Sequence, residues 1–522
     1  MPINKKAQMI RKLTILFLSF FLVACGSLPD NSFQLESTAV SPVVGETLAN
    51  EILQEHNGTT ENSRFAILGS GLDAFTARAV LAGQAQHSID AQYYILSDDL
   101  TGNLFLGLLA QAADRGVRVR LLVDDFFVDA RDTRLIAMAS LENVEVRIFN
   151  PFARGGPRLG QYVTRFDEVS RRMHNKSFIV DNQVMIVGGR NIGDEYFSAN
   201  SHHEYFDMDI INRGPIVRQQ SLSFDRYWNS DLSYSISSLN RRAPSPEEMS
   251  LARAQIFQSP ERNNDSVYAN ALRDSDFANA LRDGSLLVHE GEARVVADLP
   301  DKISNERNRS DLRMTSEISA EFERAREEVT IITPYFVPGR VGVEHFRNLV
   351  EAGVRVRILT NSLATNNQRL VHAHYGAFRA ALVQAGVELY ELRGDATYDE
   401  ARNTPTTDEN RVGRPTLHTK MFIIDRERIF FGSLNFDPRS FVENTEQGVV
   451  YASPDMSDTI ASWLDHQVSE IAWRVLLDDR ENLVWETTRD GERQRVLTEP
   501  DSHLWRRFQD RLIRLLPIRP LL

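Results

Sequence analysis

The stretch from His174 to Asn191 returns in the same register 244 positions later. HNKSFIVDNQVMIVGGRN and HTKMFIIDRERIFFGSLN share His at the first place, Lys at +2, Asp at +7, Gly at +14 and Asn at +17. Two copies in one register within one chain constrain the fold strongly: the chain is a duplication, and its two halves are similar. In each copy an apolar run, SFIV or MFII, lies between Lys and Asp and reads as a short buried strand. Residues two apart on a strand share a face, so His174 and Lys176 are expected to point the same way, as are His418 and Lys420. A turn (DNQ, DRER) leads to a second apolar run that ends in Gly188-Gly189 or Gly432-Ser433, where backbone can approach a ligand closely. Asn191 and Asn435 follow. If the copies face each other, two imidazoles, two ammonium groups and two amides line one pocket. That set suits a phosphate diester, because cations offset phosphoryl charge while imidazoles attack and protonate. It calls for no metal and no cofactor.

The frame around the motifs repeats too. SIDAQYYI at 88–95 and VTIITPYFV at 329–337 read as strands, each followed by a helix, a Gly turn and a further strand, VRVRLLVDD or VRVRILTNS. Matched positions are offset by 241 at Tyr94/Tyr335, 237 at Gly116/Gly353 and 244 at His174/His418, so the halves align almost without gaps. Strand–helix–strand order with a Gly turn implies parallel βαβ units. Downstream of each motif an acidic residue recurs. Aligning FDMDIINRGP with TEQGVVYASP sets Asp207 opposite Glu446, with Asp209 as the rival on the same strand.

The motif pair resembles the signature of the phospholipase D superfamily, HxKxxxxD followed by GG or GS and Asn, over roughly residues 65–475. Within it the chain looks most like bacterial cardiolipin synthases of the lipoprotein-like C type. The resemblance implies an α/β fold of two similar halves, each a mainly parallel sheet flanked by helices, with one active site at their interface. It implies a phosphatidyltransferase that makes cardiolipin from phosphatidylglycerol and a phosphatidyl donor, phosphatidylethanolamine or phosphatidylglycerol, through a phosphohistidine. A hydrolase releasing phosphatidic acid would use the same site, and a nuclease is the further alternative. The first-motif His174 is usually the nucleophile and His418 the acid–base, although the two registers are identical. Lys176, Lys420, Asn191 and Asn435, with Gly189 and Ser433 beside them, would hold the phosphate. Asp207 and Glu446 would orient the histidines, and Asp181 and Asp425 would hold structure by salt bridge.

Bulk charge favours neither nucleic acid nor anionic lipid, so local basic clusters would have to attract either one. The net charge of −13 gives no basic stripe for nonspecific nucleic-acid binding, so nucleic acid is not an expected partner; phospholipids and a membrane surface are, and the sequence leaves any protein partner open. Lys5, Lys6, Arg11 and Lys12 precede an apolar run, Leu13–Val23, that is short for a membrane span. The run ends in Leu22-Val23-Ala24-Cys25, with the only cysteine of the chain at the lipobox position. Residues 1–25 thus read as a lipoprotein-type signal with Cys25 as lipidation site, which points to a bacterial envelope protein facing the periplasm. A plain signal peptide or an uncleaved anchor is the alternative.

Residues 26–60 read as a polar tether, 61–230 as the first half, 231–290 as a connector, 291–475 as the second half and 476–522 as a C-terminal amphipathic segment. Arginines 154, 158, 165, 171 and 172 precede His174 in a loop that either contacts headgroup phosphates or is merely solvated. In the C-terminal segment, Leu504, Trp505, Phe508, Leu512, Leu515 and Leu516 share a helical face among arginines, which suits either a membrane surface or the protein's own core. His372 and His374 have strand spacing but no motif register. His202-His203 lack a third metal ligand. GSGLDAF at 69–75 only faintly resembles a phosphate loop.

Overall fold

The structure, a computed structural model, describes residues 28–32, 34–41, 61–126, 132–154, 158–199, 203–239, 243–263, 266–396, 414–489 and 491–514. Cys25, the signal segment, residues 397–413 and the C-terminal Leu515 and Leu516 lie outside the described residues. Among the described residues no helix is long and apolar enough to cross a membrane.

The first half carries strands β1 (Ser63–Leu68), β2 (Ser88–Tyr93), β3 (Arg118–Asp124), β4 (Val144–Phe149), β5 (Ser177–Val180), β6 (Val184–Gly188), β7 (His203–Phe206), β8 (Asp209–Arg213) and β9 (Ser233–Ser235). After β10 (His289–Ala297) the second half continues with β11 (Glu328–Ile332), β12 (Arg355–Asn361), β13 (Glu388–Leu392), β14 (Arg414–Leu417), β15 (Met421–Ile424), β16 (Arg428–Gly432), β17 (Gln447–Ala452), β18 (Ala472–Leu477), β19 (Leu483–Arg489) and β20 (Glu492–Val496). In space they run 9-4-3-2-5-6-8-1-10-17-16-15-11-12-13-18-19-20, an 18-stranded sheet mirrored about the β1–β10 seam. β7 and β14 stand apart as a ribbon of one strand from each half.

The α/β architecture of two similar halves matches the expectation, with a refinement of strand direction. The β7–β14 ribbon is parallel, but within the large sheet antiparallel pairs predominate where a mainly parallel sheet was expected, and parallel pairing is confined to β2–β3–β4 and β11–β12–β13. There the intervening helices, such as Leu100–Asp114 capped by Asp99, make the crossovers. The motif strands β5 and β6 pair antiparallel because a hairpin turn leaves no room for a crossover, and β5 also pairs antiparallel with β2. That turn has φ near +50° at Asp181 and Asn182, and equally at Asp425 and Arg426. Two successive positive φ values match the right-handed twist of a tight hairpin.

Alternate residues of the motif strands serve two cores. Phe178 and Val180 pack on the helices of the first half, while Ile179 joins Val187, Ile332, Leu359, Met421 and Val449 in a core shared by both halves. Burying each such side chain is worth about 1.5–3 kcal/mol, so the halves are joined by packing as well as by the seam. The connector is more than a link: helices Pro246–Asn263 and Asp276–Asp283 bury Ala252, Ile256 and Phe277 on the first half's core.

The described part of the expected tether is bound to the body. Arg147, Arg120, Arg118 and Asn182 donate to the carbonyls of Leu35, Ser37, Thr38 and Val40, and Asn31 and Gln34 donate to main-chain oxygens near Trp228. Residues 28–32 and 34–41 thus form a strap across the first half.

Candidate active site

Each motif begins with a backbone clasp onto the other half. His174 N donates to Thr445 O at 2.9 Å, and Thr445 N donates back to Arg172 O at 3.0 Å. His418 N and Thr419 N both donate to Phe206 O, at 2.7 and 2.9 Å, continuing the β7–β14 ladder. The residue after each clasp point is an acid. His174 Nδ1 therefore meets Glu446 Oε2 at 2.8 Å, and His418 Nδ1 meets Asp207 Oδ2 at 2.5 Å. The carboxylate following one motif serves the imidazole of the other. Spacing could not reveal this exchange, because it arises from the facing of the halves. Asp209 is excluded as the orienting acid by its own pairing with Arg78 at 2.8 Å.

Because a carboxylate only accepts, Nδ1 of each ring carries the proton it donates, and the lone pair is left on Nε2. Neither Nε2 has a protein partner among the described residues. Both rings are nearly buried, at 8% and 5% exposure. Burial pushes the His174 imidazole down to about 4 despite Glu446, and holds His418 well below the usual histidine range, with Lys420 and Lys176 adding to the effect. Lys420 is brought down to about 8 by burial, against the pull of Asp207 and Glu446, and Lys176 is also lowered well below its ordinary value by burial. Both lysines lower each imidazole, and the clasps that seat His174 on Thr445 and His418 on Phe206 bring the two motifs to one interface between the halves.

The lysines do not extend from a strand as expected: the strands begin at Ser177 and Met421, just after the His–Lys pairs. Instead each ammonium turns back to its own histidine's carbonyl, Lys176 to His174 O at 2.5 Å and Lys420 to His418 O. Tyr94 lies edge-on to His174 with centroids 5.0 Å apart, and Tyr196 and Tyr205 flank His418 at 5.3 and 5.0 Å. The neighbouring Tyr93 lies in the core, where its hydroxyl accepts from Arg78.

Several expected roles need correction. Asp181 and Asp425 form no salt bridge among the described residues. Asp181 accepts the N–H groups of Gln86, His87 and Ser88, and Asp425 those of Arg326, Glu327 and Glu328, pinning the entry to β2 and β11. Gly189 clears space for the orienting acid: a Cβ there would stand 2.3 Å from Asp207 Oδ1. At the matching place Ser433 Oγ donates to Glu446 Oε2 at 2.5 Å. The Asn191 amide is occupied, accepting from Ile95 N and donating to Tyr196, whereas that of Asn435 has no protein partner among the described residues.

The five arginines before His174 are engaged too. Arg154 and Arg158 bond Asp125, Arg165 bonds Glu168, Arg171 bonds Glu443 and Arg172 bonds Asp124. This binding favours a structural role over headgroup contact.

Two positioning residues were missed. Asp124 Oδ2 accepts Met173 N at 2.8 Å, and Asn361 accepts Leu417 N and donates to Leu417 O, both at 2.9 Å. They hold the residue before each histidine. Their matched places at the ends of VRVRLLVD and VRVRILTN were the available signal.

The lesser motifs resolve as structure. His372 and His374 lie on a helix, Arg369–Tyr375. Ser70 of GSGLDAF caps the helix Gly71–Gln84. His202 lies outside the described residues, and among those described no group of three or more His, Cys, Asp or Glu could hold a metal ion.

A family model described as cardiolipin synthase, PLD-like domain, matches residues 80–228 and 318–468, one match per half. The chain is 38% identical to cardiolipin synthase C of Escherichia coli over 87% of its own length and 95% of that protein's. It is 25% identical to a cardiolipin synthase of Geobacillus kaustophilus, over 74% of this chain and 62% of that one. In fold it is similar to phosphatidylserine synthase of Haemophilus influenzae, with a TM-score of 0.51 at 14% identity, covering 78% of this chain and 87% of that one.

Proposed function

The chain belongs to the cardiolipin synthase family with phospholipase-D-like domains, and from that premise we propose that it joins two phospholipids into cardiolipin by two displacements at one phosphorus. The donor is phosphatidylethanolamine or phosphatidylglycerol, and the acceptor is the terminal hydroxyl of phosphatidylglycerol. The observation that carries the reading is the exchanged pairing of His174 with Glu446 and His418 with Asp207.

In the first step the His174 Nε2 lone pair attacks the donor's phosphorus. The P–O bond to the headgroup alcohol breaks, and His418 Nε2–H protonates the departing oxygen. In the second step His418 takes the proton of the acceptor hydroxyl, whose oxygen attacks the phosphohistidine and restores His174. Lys176, Lys420 and Asn435 gather around the phosphoryl oxygens. His418 must be protonated for the first step although burial favours its neutral form, so binding of the anionic phosphodiester supplies the field that recharges it. Two inversions give retention at phosphorus.

Residues 1–25 would deliver the protein to the bacterial envelope, with Cys25 lipidated and the body facing the periplasm. The phospholipid product formed by purified protein in vesicles of phosphatidylglycerol and phosphatidylethanolamine tests the function. Cardiolipin with free glycerol or ethanolamine is expected; phosphatidic acid would make the acceptor water and the protein a hydrolase.

A further inference from the structure

The helix Leu504–Ile513 is seated the wrong way round for a globular protein. A surface helix ordinarily turns its apolar stripe to the core. Here Asp510 is the buried residue, accepting from His372 Nδ1 at 2.8 Å, while His372 Nε2 accepts from Arg379. Gln509 accepts from Arg369, and Arg506 donates to Asn366 O at 3.0 Å. The apolar residues face outward: Leu504 is 81% exposed, Trp505 66%, Phe508 49% and Leu512 51%. Trp505 and Phe508 stack with centroids 5.5 Å apart, forming a continuous ring surface. The polar anchoring fixes this orientation, so the exposed face is built into the fold.

Two further observations indicate what that face meets. Residues 504–514 carry four arginines against one aspartate in a chain of net charge −13, and Arg511 points to solvent. The helix also borders the catalytic cleft. Arg506 holds Asn366, and the next residue, Asn367, bonds the hydroxyls of Tyr205 at 2.9 Å and Tyr335 at 2.8 Å. Tyr205 in turn packs on His418. One loop separates the apolar face from a catalytic imidazole.

We propose that this helix is a docking foot for an anionic phospholipid bilayer, its Leu–Trp–Phe face entering the headgroup–acyl boundary and its exposed Arg511 meeting lipid phosphates at the mouth of the cleft. A Trp-bearing apolar face flanked by arginines is the composition that partitions to that boundary. The inference rests on the lipid-substrate reading and adds the surface through which substrate is reached.

The test uses the full chain with Cys25→Ser, so that an introduced cysteine is the only one. Phe508→Cys carries an environment-sensitive fluorophore, and Val267→Cys, at an 88% exposed site on a connector helix, is the control. Phosphatidylglycerol vesicles are expected to shift the 508 label to the blue and expose it to quenching by nitroxide lipid. Phosphatidylcholine vesicles should do little, and the 267 label should not respond. A 508 label that stays in water overturns the proposal. So does one already shielded without vesicles, which would mean the chain's own tail covers the face, or one that responds to protein concentration instead, which would mean a second copy does.

Leu504→Gln with Trp505→Gln and Leu512→Gln should lower turnover of vesicular lipid by about 10-fold or more and leave a short-chain monomeric phosphodiester unaffected; equal loss on both also overturns the proposal. Failure of the cardiolipin reading would look different. The unsubstituted chain would then transfer neither substrate, while the 508 label could still enter the bilayer.

Discussion

The two motif cradles share a register and differ in what stands behind it. Behind His174 the support is polar throughout. Glu446 is held by Ser433 and by its own N–H on Asp298, and Asn175, Thr445, Gln447 and Gln220 form one hydrogen-bonded cluster across the halves. Behind His418 the matching places are Gly189, Met208 and Thr419, and Asp207, Met208 and Thr419 line an apolar cavity with Ile332, Leu359 and Met421. The carboxylates follow their settings. Burial raises the Asp207 pKa above the ordinary range, whereas His174, Lys176 and Ser433 outweigh burial and hold Glu446 below it. A duplicated site can thus keep two histidines in mirror positions while giving them different work: the rigid polar cradle suits a nucleophile that must hold a phosphoryl group, the looser one a group that passes a proton back and forth.

The largest test of this division removes each ring. His174→Ala and His418→Ala should each lower turnover by about 10⁴-fold or more, but unequally when the donor carries a leaving group that needs no proton. With such a donor His418→Ala should still accumulate phosphoprotein, detected by intact mass at low temperature, and His174→Ala should not. The reverse pattern would exchange the two roles.

Next come the exchanged acids. Asp207→Asn and Glu446→Gln should each cost about 10³-fold in kcat. Their effects should group with the opposite half: Asp207→Asn should behave like His418→Ala in the phosphoprotein assay, although Asp207 follows the first motif. Grouping within each half would break the comparison.

Gly189→Ala should be far more damaging than Ser433→Ala, about 100-fold against 10-fold. The first drives a methyl into Asp207, while the second removes one hydrogen bond from Glu446. Similar losses would mean that the space behind each acid matters less than the clasp in front of it.

The smallest effect on chemistry is expected at Asp181→Ala and Asp425→Ala. Each removes acceptors for three main-chain N–H groups and should cost about 1–3 kcal/mol in denaturant unfolding, with kcat of the folded fraction nearly unchanged.

Much of this was legible in the sequence, for physical reasons that mark where legibility stops. The duplication, the histidines and the pairing of Asp207 with Glu446 by position were open to reading, because register survives along a chain. Which imidazole each acid touches was not, since the carbonyls of Thr445 and Phe206 do that work from the opposite half. Asp181 showed its place but not its use: a carboxylate at a strand end can take a cation or three amides, and only the facing chain at residues 86–88 decides. The arginines before His174 looked available because their partners, Asp124, Asp125 and Glu443, are remote or unremarkable in sequence. The C-terminal helix was recognisable as amphipathic, but periodicity gives a stripe without saying which side meets the protein.

The strap at residues 28–32 and 34–41 carries a mechanical consequence. If Cys25 bears the lipid proposed for it, the covalent chain allows only about 10 Å between that anchor and Leu28, where the body already holds the polypeptide. Such a leash leaves no altitude to explore. The enzyme would ride flush against the membrane that feeds it, free to spin and drift in the plane, so that its supply of both substrates is set by lateral diffusion.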